Sequence, residues 1–342
     1  VKMRKTSIVY PDADDETVQV FSGDLSARLN KLGRFKIFEG IPASDEEFVS
    51  RVGEAEAVIL GWAMPSEVML ALKNLKLIVF TGIGVANFVD LNVAKNQGIS
   101  VCNTPGYADQ TVAEHTIALM LSSARKINKL DSSMKGGHWK TDCSGYDLNG
   151  KTLGLIGLGG IGGRVSELAK AFGMKVICWT SNPDPLRAKK FGLEFATLEQ
   201  VFESSDIVSL HLALTDATRG LINAHILSCL RRGCLLINTA RAELIDEDAL
   251  MFELKSQRIF GAFDVFHEEP LSKNHPIRRL SNVILTPHNG YNTPDANYAI
   301  CDLATSVVES YYAGELINEV KKLNLHKNLN PLNTIGYKEI FK

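Results

Sequence analysis

No stretch of the sequence approaches the roughly 20 consecutive apolar residues that cross a bilayer as a helix, which argues against a membrane protein. Charge of one sign is not in excess either. The 37 Lys and Arg against 39 Asp and Glu leave a net charge of −2, which provides no electrostatic footprint for nucleic acid or an anionic membrane surface. Cysteine is sparse: the six (Cys102, Cys143, Cys178, Cys229, Cys234, Cys301) form no CxxC pair and no dense framework, so reduced thiols packed as small hydrophobes are expected. The eight histidines include no HExxH and no paired helical arrangement, and no metal site is expected. The opening Val1-Lys2-Met3-Arg4-Lys5 leads into a short strand rather than a signal-peptide core, so the expectation is a cytoplasmic protein.

What is present is an ordinary globular composition, 45% apolar and 22% charged. At 342 residues the chain exceeds the usual size of one hydrophobic core, which predicts two domains with a cleft between them, or one large α/β domain. Short apolar runs at 7–10, 57–60, 77–80 and 100–102 are separated by stretches long enough for a helix, the alternation of βα units on a parallel sheet. From Ala108 to Lys129 the sequence reads as one long helix, too densely apolar for a surface position and expected to pack between domains. After a polar, Gly-containing stretch at 135–150 the pattern restarts, with strands expected at 152–156, 175–179, 207–211, 234–238, 260–264 and 283–286. Six strands alternating with helices are the arithmetic of a doubly wound dinucleotide domain. Near the end, Thr293 and Pro294 suit the start of a helix on which Ala296, Ile300, Leu303, Val307 and Tyr311 share a face, expected to return to the first domain. The tail at 322–342 shows no periodicity and is assigned no role.

Gly157-Leu158-Gly159-Gly160-Ile161-Gly162 matches GxGxxG, a weak signal alone because glycine is common. Its setting makes it specific: the turn follows the strand at 152–156 and opens a helix with Ile161, Val165, Leu168, Ala169 and Phe172 on one face. Gly157 permits the tight turn, Gly159 lets the main chain approach a pyrophosphate, and Gly162 lets the helix pack close to the sheet. The next strand should end, about 20 residues on, in an acid that binds the ribose 2′-hydroxyl. It ends instead in Trp179-Thr180-Ser181-Asn182, with Arg187, Lys189 and Lys190 just beyond. No carboxylate repels a 2′-phosphate there, so NADP is expected to be accepted and slightly favoured over NAD. The alternative, that these bases are a solvated helix face, stays open.

In an open α/β sheet ligands bind beyond the carboxyl ends of the strands. Arg241 follows the strand at 234–238, Glu269 lies in Asp264-Val265-Phe266-His267-Glu268-Glu269-Pro270, and His288 ends Leu285-Thr286-Pro287-His288. Singly, each has a bland explanation as a surface arginine, a solvated carboxylate or a loop histidine. In this order after a dinucleotide turn, and with Asn103-Thr104-Pro105-Gly106, Val112-Ala113-Glu114-His115 and Thr218-Arg219-Gly220-Leu221-Ile222, they resemble the D-isomer-specific 2-hydroxyacid dehydrogenase family.

The resemblance covers roughly residues 50 to 315. It implies two Rossmann-like or flavodoxin-like α/β domains with parallel sheets. The dinucleotide domain (107–292) would be inserted into a substrate domain made of 1–106 and 293–342. It also implies that Arg241 anchors a 2-oxo acid, that His288 exchanges a proton at the substrate oxygen, and that Glu269 orients and favours the charged imidazole. Backbone N–H groups of Gly82, Ile83 and Gly84 would bind the substrate carboxylate. Implied cofactor contacts are Thr111, Gly160, Ile161, Thr180, Ser181, Asn182, Thr239, Ala240, Asp264 and Gly290, with Asp264 suited to the nicotinamide carboxamide. Two departures, Ala242-Glu243 after Arg241 and Asn289-Gly290-Tyr291-Asn292 after His288, bear on which substrate is used. Among the other histidines, His115 reads as an interhelix residue, His211 as a weaker acid–base candidate, and His138, His225, His275 and His326 as surface positions. The expected function is NAD(P)-dependent reduction of a small 2-oxo acid by a homodimer, glyoxylate or hydroxypyruvate first. The alternative is a dinucleotide-sensing, corepressor-like regulator on the same fold.

Overall fold

A computed structural model describes residues 7–320 apart from residue 140; the tail at 322–342, His326 included, lies outside the described residues. The described chain divides into two units, 7–108 with 292–320, and 109–291. In the first, strands β1 (Ser7–Ala13), β2 (Arg34–Glu39), β3 (Ala57–Leu60), β4 (Leu77–Phe80) and β5 (Ser100–Cys102) form a parallel sheet in the order β2-β1-β3-β4-β5. Helices α1 (Asp15–Val20), α2 (Asp24–Leu32), α3 (Asp45–Val52), α4 (Ser66–Ala71) and α5 (Leu91–Asn96) connect them. Every residue of β3 and β4 is buried, as expected of a parallel sheet covered on both faces. Because successive strand residues point to opposite sides, Val58, Leu60 and Ile78 enter one core and Ile59, Leu77 and Val79 the other. The strand β2 is not among those expected. Its Arg34, Lys36 and Glu39 stand exposed on the sheet edge, where charge discourages pairing with another chain.

The second unit begins with α6 (Asp109–Arg125) and α7 (Ile127–Lys135). Then come β6 (Thr152–Ile156), α8 (Gly160–Ala171), β7 (Lys175–Trp179), α9 (Pro185–Phe191), β8 (Glu194–Phe195), α10 (Leu198–Ser204) and β9 (Ile207–Leu210). The unit closes with α11 (Ala224–Ser228), β10 (Leu235–Asn238), α12 (Glu247–Lys255), β11 (Phe260–Phe263) and β12 (Val283–Leu285). The sheet is parallel in the order β12-β11-β10-β9-β6-β7-β8, so the winding reverses between β6 and β9, the switch point at which doubly wound sheets bind ligands. The six expected strands are present within two residues of their expected ends; the seventh, β8, is only two residues long and leaves no periodic signal.

The single helix expected from Ala108 to Lys129 is two. Lys126 adopts a left-handed backbone (φ 55) between α6 and α7. The Ala124 carbonyl accepts from the Tyr146 amide, and Gly145 packs so closely that a Cβ there would lie 2.5 Å from that carbonyl. Within its unit, α6 packs on α8 and β10. The last helix, α13 (Pro294–Ala313), is capped by Thr293, whose hydroxyl accepts from the Ala296 amide, and packs on α1, α2 and β4 of the first unit. Arg28 of α2 pairs with Asp302 and Glu309 of α13. Among the described residues no helix is long and apolar enough to cross a membrane.

Candidate active site

At the switch point, β6 runs through the glycine turn into α8. Gly157 has φ 98, and a Cβ there would lie 2.5 Å from the His211 carbonyl. A side chain at Gly162 would collide with the Gly157 carbonyl, whereas Gly159 faces open space. The Asp109 carboxyl lies directly over Gly160, so no side chain fits there either; burial pushes the Asp109 pKa up. No side chain caps α8, which leaves its first amides and the positive end of its dipole for an anion. A pyrophosphate fits this cradle.

At the end of β7, Thr180 is half-buried and Ser181 and Asn182 are exposed. The nearest acid, Asp184, caps α9 by accepting from the Leu186 amide at 2.9 Å. The three bases differ. Lys189 is exposed, Lys190 lies over the Phe191 ring at 5.2 Å, and Arg187 is half-buried and close enough to the β7 thiol of Cys178 to act on it electrostatically.

Arg241, Glu269 and His288 leave the carboxyl ends of the adjacent parallel strands β10, β11 and β12. His288 Nδ1 lies 2.7 Å from Glu269 Oε2, and Glu269 Oε1 accepts from the Phe266 amide at 2.9 Å. An ionised carboxylate only accepts, so Nδ1 carries the proton and Nε2 is the nitrogen left for a ligand. Burial would raise the Glu269 pKa, but the hydrogen bonds from His288 and Phe266 and the charges of His288 and Arg241 hold it below its ordinary value. His288 itself has φ 52, a left-handed conformation uncommon outside glycine.

The turn bearing Arg241 is braced twice. Asn238, a residue absent from the expected set, accepts from the Ala240 amide with Oδ1 and donates to the Arg241 carbonyl with Nδ2. The segment 220–222 then pairs with 243–246: the amides of Gly220 and Ile222 donate to the carbonyls of Glu243 and Leu244. This is the physical content of the Thr218-Arg219-Gly220-Leu221-Ile222 motif. Thr239 is buried against Thr116, whose hydroxyl donates to the Val112 carbonyl. Of the two hydroxyls, 2.9 Å apart, Thr239 must therefore be the donor, and toward a bound group it can only accept. Asp264 accepts from the Thr286 hydroxyl and the Asn289 amide on Oδ1 and from the Gly290 amide on Oδ2. The Gly290 N–H is thus engaged within the protein, and Oδ2 keeps a lone pair. Thr111 lies in the first turn of α6 and Ile161 in that of α8, both half-buried.

In the first unit, the Thr81 amide donates to the Leu60 carbonyl and the Gly82 amide to the Phe80 carbonyl, so neither is open to a ligand. The loop is fastened by Asn103, whose Nδ2 donates to the Ile83 carbonyl, and by Thr104, whose amide donates to the Gly82 carbonyl. Ile83, 49% exposed, and Gly84 follow with amides that have no partner among the described residues.

The remaining histidines separate clearly. Burial pushes the His211 pKa down to about 3, and its Nε2 pairs with Ser209, so it is a neutral wall beneath the glycine turn rather than an acid. His267, His138 and His225 are exposed, while His275 accepts from the Ile277 amide and caps the turn at 276–279. His115 is not an interhelix residue: its ring meets Thr286 at the end of β12. Among the described residues no group of three or more His, Cys, Asp or Glu side chains is placed to hold a metal ion.

The family model for the D-isomer specific 2-hydroxyacid dehydrogenase NAD-binding domain matches residues 117–290, nearly the whole second unit. A hydroxypyruvate reductase from Thermotoga maritima is 40% identical over 260 residues, covering 73% of this chain and 83% of that protein. A glyoxylate reductase from Korarchaeum cryptofilum is 33% identical, covering 80% and 85%. Among solved structures, an acyclic imino acid reductase in complex with NADPH and D-Arg superimposes with a TM-score of 0.80 at 30% identity, covering 92% of this chain and all of that one. The chain therefore belongs to the D-isomer specific 2-hydroxyacid dehydrogenase family, and is an oxidoreductase that uses a nicotinamide dinucleotide.

Proposed function

We propose that the protein reduces small 2-oxo acids to D-2-hydroxy acids, with glyoxylate and hydroxypyruvate as its first substrates, and that Arg241, Glu269 and His288 carry the reaction. The observation that bears most weight is the His288–Glu269 pair, which leaves Nε2 of an oriented imidazole facing away from its carboxylate. When bound, the reduced nicotinamide supplies the hydride to substrate C2. As charge grows on the substrate oxygen, His288 Nε2–H delivers the proton; in the oxidative direction it removes it. Arg241 offers a planar fork of donors to the substrate carboxylate. In the first unit, the Ile83 and Gly84 amides, rather than that of Gly82, are the ones open to a carboxylate. The glycine turn would hold the pyrophosphate, with Thr111, Thr180, Ser181, Asn182, Thr239 and Ala240 around the remaining dinucleotide and Asp264 Oδ2 accepting from the carboxamide. The regulatory alternative has no observation in its favour.

NADP is favoured over NAD, because no free acid ends β7 and Arg187 lies close enough to act on the β7 thiol of Cys178. Hydroxypyruvate and glyoxylate should thus oxidise NADPH with a cofactor KM about tenfold below that for NADH, and Arg187→Ala should narrow the difference; a lower KM for NADH would remove this reading. A homodimer is supported by α7, none of whose residues is buried, and by Ile127, Met134 and Trp139, exposed by 53%, 52% and 82%. Sedimentation should give twice the chain mass for the wild type and a shift toward the monomer for Trp139→Lys; a monomeric wild type would contradict it. Six free cysteines, four of them buried, suit a reducing, cytoplasmic setting.

A further inference from the structure

We propose that His115 is a positioning residue for the acid–base step: its Nε2–H, through the Thr286 hydroxyl, fixes the carboxylate of Asp264 that clamps the backbone carrying His288. The proposal rests on the reading of His288 as the proton donor and goes beyond it, because it assigns a role to a helix residue that the reaction does not otherwise use.

The direction of each hydrogen bond follows from counting protons. Thr286 has one hydroxyl proton, and its oxygen lies 2.5 Å from Asp264 Oδ1. Asp264 is ionised. Burial would raise its pKa, but hydrogen bonds from His115, Thr286, Asn289 and Gly290 hold it below its ordinary value. A carboxylate only accepts, so the Thr286 proton goes to Asp264. His115 Nε2, 3.1 Å from the same hydroxyl oxygen and 3.5 Å from Asp264 Oδ1, must then be the donor. The chain thus runs one way, from imidazole N–H through hydroxyl to carboxylate, and it fixes the His115 tautomer.

The far end of the chain is the backbone just past His288. Asp264 Oδ1 accepts from the Asn289 amide at 3.0 Å and Oδ2 from the Gly290 amide at 2.9 Å. Those two bonds hold the segment immediately after a non-glycine residue at φ 52, a conformation that persists only where its surroundings impose it. Close packing completes the clamp: a Cβ at Gly290 would lie 2.9 Å from Asp264 Oδ2 and 3.1 Å from His115 Cδ2, so carboxylate and ring both press on that backbone. Loss of the ring frees the Thr286 hydroxyl and lets the Asp264 carboxylate turn. The Asn289 and Gly290 amides then loosen and His288 drifts from its place beside Glu269.

The test combines a readout of position with one of turnover. In the wild type, nitrogen-15 imidazole spectra should show His115 protonated on Nε2. His115→Leu and Thr286→Val should speed hydrogen exchange at the Asn289 and Gly290 amides and lower kcat about ten- to hundredfold. Glutamine at 115 places an amide N–H near the Nε2 position, and serine at 286 keeps the hydroxyl, so His115→Gln and Thr286→Ser should stay within about threefold of wild type in both readouts. A His115 protonated on Nδ1 alone, or a His115→Leu protein as protected and as active as wild type, would overturn the proposal. Should the wild type reduce no 2-oxo acid, the functional reading falls, and the spectra and exchange rates still decide the clamp.

Discussion

Replacing His288 with Ala lowers kcat for 2-oxo acid reduction about 10³- to 10⁴-fold, the upper range for loss of a positioned general acid, while the Kd for NADPH stays within about threefold of wild type. Cofactor binding is spared because the glycine turn and the Thr239 region lie at other strand ends of the sheet, β6 and β10. The acid side of the pH profile adds a second sign of the same pair. The folded-state pKa of Glu269 lies below its ordinary value of 4.5, so its interaction with His288 is fully present above pH 4.5 and is lost only as the pH falls through the lower folded value. Loss of activity from Glu269 protonation is therefore expected below pH 4.5, and Glu269→Gln should abolish that limb. Retention of wild-type kcat by His288→Ala would remove the imidazole from the mechanism.

Replacing Arg241 with Lys, which keeps the charge, lowers kcat/KM about 10²- to 10³-fold. A lysine ammonium is a point charge and cannot give the two parallel N–H bonds that a carboxylate accepts from a guanidinium, and an imperfectly paired substrate carboxylate costs about 2–5 kcal/mol. The fixed turn makes the loss harder to relieve. Asn238 and the pairing of 220–222 with 243–246 hold the backbone where the arginine fork needs it, so a shorter-reaching headgroup cannot be met by a shift of the chain. Steady-state kinetics on glyoxylate and hydroxypyruvate check this; an Arg241→Lys enzyme within about threefold of wild type on both would assign the carboxylate elsewhere.

The sheet strands were legible because buried parallel strands are continuous apolar runs, and those at 57–60, 77–80 and 152–156 match to the residue. The strand β2 was not, since an edge strand with alternating charges reads as a polar connection. Nothing local marks the break at Lys126: no Gly or Pro stands there, and the Ala124 carbonyl is taken by the amide of Tyr146, some twenty residues on, with Gly145 packed against it. The glycine turn was readable from its setting between a strand and a helix, and the three strand-end residues stood out as candidates only in combination with the motifs of the family they resemble. Their supports were not readable. Asn238 acts through two main-chain bonds of its own turn, and His115, on a helix, meets Thr286 only through the folded arrangement of α6 and β12. The seat of Asp109 over Gly160 is likewise a contact between distant segments that no periodicity carries.

The most direct test of the proposed function is the product of hydroxypyruvate reduction with NADPH carrying deuterium at both nicotinamide C4 positions. Wild-type protein should form D-glycerate carrying one deuterium at C2 for each NADPH consumed, the second label staying on the oxidised ring. Formation of L-glycerate, absence of deuterium at C2, or no NADPH consumption with hydroxypyruvate or glyoxylate would contradict it.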